Sequence, residues 1–229
     1  MTRTWISKVN DATIEPVPER PSANPTLKAA IADLLCEAAD RFILPRFQNL
    51  QSQDIATKTS DTDFVTIADQ QAESWLAPKL SVLQPGFVIG EEAASLTPAI
   101  RDHIPLGYGW TLDPLDGTKN FVKGNQTFCS MVALLWNGQP VQSWIWQPLT
   151  QTLFYAAEGQ GAVRVDKNGK ARLRLKDRSD NIDLMFGSGN SLGLIEPQKS
   201  AFQARLRSLS GRRFTGSAGI QACLIASGD

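Results

Sequence analysis

The sequence predicts a mixed α/β (α+β) protein, with amphipathic helices ahead of a sizeable, mostly antiparallel sheet. Three observations carry this. Leu27, Ile31, Leu34, Leu35, Ala38 and Phe42 recur at helical spacing. Residues 128–175 hold short apolar runs separated by Asn-Gly and Gly-rich turns, the pattern of consecutive strands. Two further apolar runs, 87–89 and 110–112, lead into acidic turns, where ligands gather at strand ends in layered α/β structures.

Residues 1–24 carry Pro16, Pro18 and Pro21 among charges and read as an arm with little regular structure, preceding a domain over 25–229. Asn24 is a good N-cap and Pro25 suits the first helical position. The helix that follows is expected to end near Pro45 or Phe47. Residues 58–69 read KTSDTDFVTIAD. Phe64, Val65 and Ile67 predict a short β segment, and Asp69 is placed to cap the next helix. That helix carries Trp75, Leu76 and Leu80, and Pro78 should kink or end it. In FVIGEE, residues 87–92, Gly90 permits a turn after a buried strand. Adjacent glutamates on a strand point opposite ways, so one of Glu91 and Glu92 is the ligand candidate, taken as Glu91.

Residues 110–121 read WTLDPLDGTKNF. A strand ends at Leu112, Pro114, Leu115 and Gly117 make a turn, and Thr118 can open a helix. The run 128–136 is apolar throughout, as in a strand covered on both faces. Asn137-Gly138 is a hairpin turn. Strands at 141–146 and 153–155 follow, with a turn at Gly159 and Gly161. An edge hairpin at 163–165 and 173–175 turns at Asn168-Gly169. Residues 184–186 are a further strand before the glycine-rich GSGNSLG, which lacks nucleotide-binding spacing. A helix spans 198–209. Gly216, Ser217 and Ala218 open a last helix with Ile220, Cys223, Leu224 and Ala226 on its apolar face.

Composition removes several function classes. Lys plus Arg and Asp plus Glu each number 23 in 229 residues, so no global field draws the chain to nucleic acid or a membrane surface. No basic stripe with interleaved aromatics appears, and no apolar stretch is long enough to span a bilayer. A single histidine, His103, excludes His-pair chemistry and His-rich zinc sites. Cys36, Cys129 and Cys223 are far apart, lack metal-ligand spacing and suit a reducing, cytoplasmic setting.

Asp113 and Asp116, three residues apart beside a strand-to-helix turn, make a hard, oxygen-rich site of the kind Mg²⁺ prefers. Backbone N–H groups at Gly117 and Thr118 would face outward from a helix start and attract phosphate. Each cluster also has a plainer reading. DPLDG is equally a turn, Asp69 a helix cap, Glu91-Glu92 a solvated acidic loop, and Lys58 a solvated lysine.

Together, KTSDTDFVTIAD, GEE and DPLDGTKNF, in that order, resemble the inositol monophosphatase family of Mg²⁺-dependent, lithium-sensitive phosphatases. GSAGIQACLIASG, residues 216–228, resembles a fourth, weaker family segment. The resemblance implies a layered αβαβα sugar-phosphatase fold, a homodimer, and two or three Mg²⁺ per site. Glu91, Asp113, the Leu115 carbonyl and Asp116 would bind metal. Asp69 and Thr118 would orient the attacking water, with Glu91 also in the catalytic set. Gly117 and Thr118 would hold phosphate, Gly216, Ser217 and Ala218 would line the substrate pocket, and Lys58 would support the mobile loop. The implied activity is hydrolysis of a small phosphate monoester, nominally inositol monophosphate. The alternatives are 3′(2′),5′-bisphosphate nucleotide, histidinol phosphate and sugar bisphosphate. Lys119 is similar to nucleotidase relatives, whereas Asn120-Phe121 is similar to inositol-type enzymes. Family members continue to a Trp-Asp motif that ligates the second metal, and this sequence stops at Asp229 before it. The expectation is therefore a fold lacking its C-terminal part, either because the sequence omits a tail or because the protein is truncated, with weak or no turnover for these 229 residues and activity in a longer parent, and a metal- and phosphate-binding module as the reading of another class.

Overall fold

The computed structural model describes residues 24–57, 64–97, 106–174, 186–187, 194–209, 211–212 and 214–228. Helix α1, Pro25–Ala38, starts as expected: the Asn24 side chain accepts from Thr26 N at 3.0 Å, with Pro25 at the first position. A π-helical turn, Ala39–Ile43, and a 3-10 turn, Leu44–Arg46, carry the helical path to Arg46. Leu27, Ile31, Leu35 and Ala38 are buried at helical spacing.

Two short strands, β1 (Ile55–Thr57) and β2 (Phe64–Thr66), pair antiparallel. Helix α2, Ile67–Leu83, begins three residues earlier than an Asp69 cap would allow. Thr66 is the N-cap and Asp69 is the third residue of a capping box, so Ile67 is helical rather than β. Nor does Pro78 end the helix. Leu76 and Leu80 are fully buried on either side of it, and that packing outweighs one missing backbone hydrogen bond.

The main sheet has the order β3-β4-β5-β6-β7-β8-β9. Its strands are β3 (Phe87–Gly90), β4 (Tyr108–Asp116), β5 (Cys129–Trp136), β6 (Gln139–Gln147), β7 (Thr152–Ala157), β8 (Gly161–Asp166) and β9 (Gly169–Arg172). β3 runs parallel to β4, and every later pair is antiparallel. The Asn137-Gly138 turn has positive φ at both residues (49° and 76°), the geometry Asn-Gly tolerates. β9 starts at Gly169 rather than Leu173, because pairing with β8 resumes directly after the Asn168 turn. Glu91 does not lie on a strand: it opens a short helix, α3 (Glu91–Leu96). Helix α4, Thr118–Val122, follows β4.

Beyond the sheet, β10 (Phe186–Gly187) pairs parallel with β11 (Gly211–Arg212), flanking helix α5, Gln198–Arg207. Helix α6, Ala218–Ser227, has Ser217 as N-cap. Gly219 and Cys223 are its buried residues, while Ile225 is exposed.

The core lies between one sheet face and α1 with α2. Trp110, Leu112, Val132, Leu134 and Trp144 meet Leu27, Ile31, Leu35, Leu76 and Leu80 there. Truncating such a leucine or isoleucine to alanine costs about 2–5 kcal/mol. Both buried indoles keep a polar partner: Trp144 Nε1 donates to Lys28 O at 3.2 Å and Trp110 Nε1 to Gln84 O at 3.0 Å. Gln142 accepts from Asn24 N and donates to Asn24 O, fastening the start of α1 to β6. Helix α6 packs on the opposite face, against β5 and β6. Among the described residues no helix is long and apolar enough to cross a membrane.

Candidate active site

The acidic turn is built by the end of β4 rather than by a loop. Asp113 pairs with Met131 and Asp116 pairs with Cys129, so three steps on β4 match two on β5. That extra residue is a β-bulge. Met131 and Cys129, two apart, share a face; the bulge puts Asp113 and Asp116 on one side of the sheet, which regular alternation would forbid. Pro114 tolerates the irregularity because it has no N–H to pair, and its carbonyl accepts from Ser130 Oγ at 2.7 Å. The chain then turns at Gly117, with φ 94°. A Cβ there would meet Thr127 O at 2.9 Å.

Three strand-to-helix junctions converge on this turn. At the first, Asp69 is almost fully buried, and its Oδ2 accepts from Thr66 N at 2.9 Å and from the Thr66 hydroxyl. Its Oδ1 accepts from Thr118 Oγ1 at 2.9 Å. Burial pushes the Asp69 pKa above its ordinary value, and the hydrogen bonds from Thr66 and Thr118 oppose that only in part. At the second, Ser95 Oγ donates to the Glu91 carbonyl at 2.9 Å, and the Glu91 side chain hydrogen-bonds with Asp113. At the third, Asp113 accepts from Leu115 N at 3.1 Å, and the Leu115 carbonyl accepts from Thr118 Oγ1 at 2.9 Å. The Asp113 pKa stands far above the carboxylate range because the group is buried and faces Glu91 and Asp116.

Asp116 is turned toward α6. Its Oδ1 accepts from Ala218 N at 3.1 Å, and its Oδ2 accepts from Gly219 N at 2.7 Å and from the Ser217 hydroxyl. Cys129 Sγ donates to Oδ2 at 3.5 Å; burial holds its thiol protonated. Gly219 packs tightly, since a Cβ would lie 2.4 Å from Cys129 Sγ and 2.6 Å from Met131 Sδ.

Asn120, not singled out in the sequence as a site residue, ties the parts together. Its Nδ2 donates to Thr127 O at 2.7 Å and Thr215 O at 2.8 Å, holding the 215–217 loop against α4. The sequence hints were its place two residues after Thr118 and the likeness of Asn120-Phe121 to inositol-type enzymes; its partners, backbone carbonyls of other segments, carry no such signal.

Glu91, Asp113, Leu115, Asp116, Gly117, Thr118, Lys119 and Gly216 line one pocket of about 210 Å³. Asp69, Ser217 and Ala218 join it through the hydrogen bonds above. Lys58 and His103 lie outside the described residues.

A model of the inositol monophosphatase family matches residues 25–229. The chain belongs to that family. An inositol-1-monophosphatase SuhB of Mycobacterium tuberculosis is 30% identical over 223 residues, covering 91% of this chain and 76% of the relative. A Nus factor SuhB of Xylella fastidiosa is 28% identical over 214 residues, covering 92% of this chain and 71% of the relative. A solved structure of Mycobacterium tuberculosis SuhB superposes with a TM-score of 0.67 at 26% identity, covering 89% of this chain and 74% of that one.

The donor chemistry of the pocket fits the divalent cation such a family site implies. Among the described residues no three acidic, histidine or cysteine side chains form a ready-made metal cage, and Asp116 is engaged by α6. Glu91 and Asp113 nevertheless bring two carboxyl groups together, with the Leu115 carbonyl in the same pocket. All are hard oxygen donors, and a cation would offset both the burial and the neighbouring carboxyl groups that drive up the Asp113 pKa.

Proposed function

We propose that this protein hydrolyses a small phosphate monoester with Mg²⁺ and water, with inositol monophosphate as the nominal substrate. The observation that carries this reading is the meeting of the Glu91–Asp113 pair and the Asp69–Thr118 hydrogen bond at one pocket. Glu91, Asp113, the Leu115 carbonyl and, once released from α6, Asp116 would hold the metal. When bound, Mg²⁺ neutralises the phosphate, lowers the pKa of water and stabilises the leaving oxygen.

The protein's own groups handle orientation and the proton. Thr118 Oγ1 can accept from the attacking water while its own proton passes to Asp69 Oδ1. The raised pKa of buried Asp69 makes it a stronger base than a solvated carboxylate. The water oxygen bonds to phosphorus, the ester P–O bond breaks, and the departing alkoxide takes a proton from a solvent water to leave as an alcohol. Gly117 and Thr118 N–H groups would cradle the phosphate, and Gly216, Ser217 and Ala218 would contact the rest of the substrate.

Lys119 favours a second reading. Its exposed side chain borders the pocket, where a cation would suit a substrate with a second phosphate, such as a 3′(2′),5′-bisphosphate nucleotide. Phosphate release from inositol monophosphate, a bisphosphate nucleotide, histidinol phosphate and a sugar bisphosphate, with and without Mg²⁺, tests both readings. Mg²⁺-dependent, lithium-inhibited release is expected. Mg²⁺ binding without release from any substrate would make the protein a binding module instead.

A further inference from the structure

Glu73 is a nearly buried acidic side chain, 8% exposed, that the proposed chemistry does not use. It lies on α2 four residues after Asp69, on the same helix face. Its Oε2 accepts from Glu92 N at 2.9 Å, and its Oε1 accepts from Ala93 N at 3.0 Å. Those two N–H groups belong to the first turn of α3, directly after Glu91. Helix α3 has only six residues, and Gly90 before it provides no side-chain cap. So short a helix is not self-supporting, and its first N–H groups need acceptors. Glu73 supplies two of them from a neighbouring helix, with the negative charge that a helix start favours. The fit is close on the other side too: a Cβ on Gly90 would lie 2.2 Å from the Glu73 carboxyl carbon.

We infer that Glu73 is a positioning residue for Glu91. It fixes the first turn of α3, and with it the direction in which Glu91 presents its carboxyl group to a divalent cation beside Asp113. Glu73 is not itself a ligand there: its carboxylate faces the α3 backbone and does not line the pocket that Glu91 and Asp113 share. The inference rests on the reading of Glu91 as a metal-binding residue.

Calorimetric titration of the full chain with Mn²⁺ alone tests it, with Glu73→Gln and Glu91→Gln side by side. Replacing one acceptor oxygen by an NH₂ group should weaken Mn²⁺ binding by about tenfold, the scale on which partners of metal ligands act. Turnover at saturating metal should recover, and Glu73→Asp should restore part of the affinity. Mn²⁺ affinity unchanged in Glu73→Gln but lost in Glu91→Gln overturns the inference alone. Affinity unchanged in both overturns the metal-ligand reading, and this inference with it. If Glu73→Gln does not fold, Glu73→Asp decides: a folded variant with weakened Mn²⁺ binding supports the role, and one with full affinity overturns it.

Discussion

Thr118 and Asp69, 49 positions apart, share one 2.9 Å hydrogen bond from hydroxyl to carboxyl. It joins the start of α4 to the first turn of α2. The same hydroxyl lies 2.9 Å from the Leu115 carbonyl, so its one proton is shared between that carbonyl and Asp69. Thr118→Val keeps the shape and removes the hydroxyl. We expect kcat to fall by about 10²-fold or more, the scale of a lost proton-transfer group, with KM much less affected. Steady-state phosphate release measures the split.

Asp69 also sets a pH dependence. Its folded pKa lies above the ordinary 3.8, so the folded protein holds this proton more tightly than the unfolded chain. The stabilisation is complete below that ordinary value and is lost as pH rises through the folded one. In EDTA, the thermal midpoint should therefore fall over this window, and Asp69→Asn should flatten that component. Activity should move the opposite way, rising as Asp69 ionises.

Asp113→Asn removes a buried carboxyl group that is crowded by Glu91 and Asp116. Without metal, the variant should melt higher than the parent, by about 2–4 °C for each kcal/mol of relieved repulsion. The same change should abolish the rise in melting temperature on adding Mg²⁺, and turnover with it. Melting curves in EDTA and in Mg²⁺ give both answers.

Asn120→Asp places carboxyl oxygens where two N–H groups met the Thr127 and Thr215 carbonyls. The expected loss is about 1–3 kcal/mol of unfolding free energy, from unpaired and mutually repelling acceptors. KM should rise through displacement of the 215–217 loop. Urea unfolding and KM measured together check the prediction.

Gly219→Ala drives a methyl group into Cys129 Sγ and Met131 Sδ. Overpacking of this kind costs about 1–3 kcal/mol. It should lift the start of α6 and its N–H donors from Asp116 and lower the unfolding midpoint, which urea unfolding measures.

Much of the scaffold was legible because its signals are local. Asn24-Pro25 marked a helix start, and Asn137-Gly138 and Asn168-Gly169 marked hairpins, since each dipeptide acts through its own backbone preferences. Where local signals competed, the reading slipped. Thr66 rather than Asp69 caps α2, because a capping box uses both residues and the sequence alone does not say which is outside the helix. Glu91 opens a helix instead of ending a strand, because its support comes from Glu73, eighteen positions earlier.

By itself the sequence determined which chemical groups are available: acidic side chains in three separated segments, a glycine after the second aspartate of DPLDG, and a threonine beside it. Only the tertiary structure decided how they meet. The extra residue in β4, counted against β5, brings Asp113 and Asp116 to one face, while α6 claims the Asp116 oxygens and α2 reaches across to α3. Those relationships depend on strand register and on backbone donors far away in the chain, and neither has a signature in the local order of side chains.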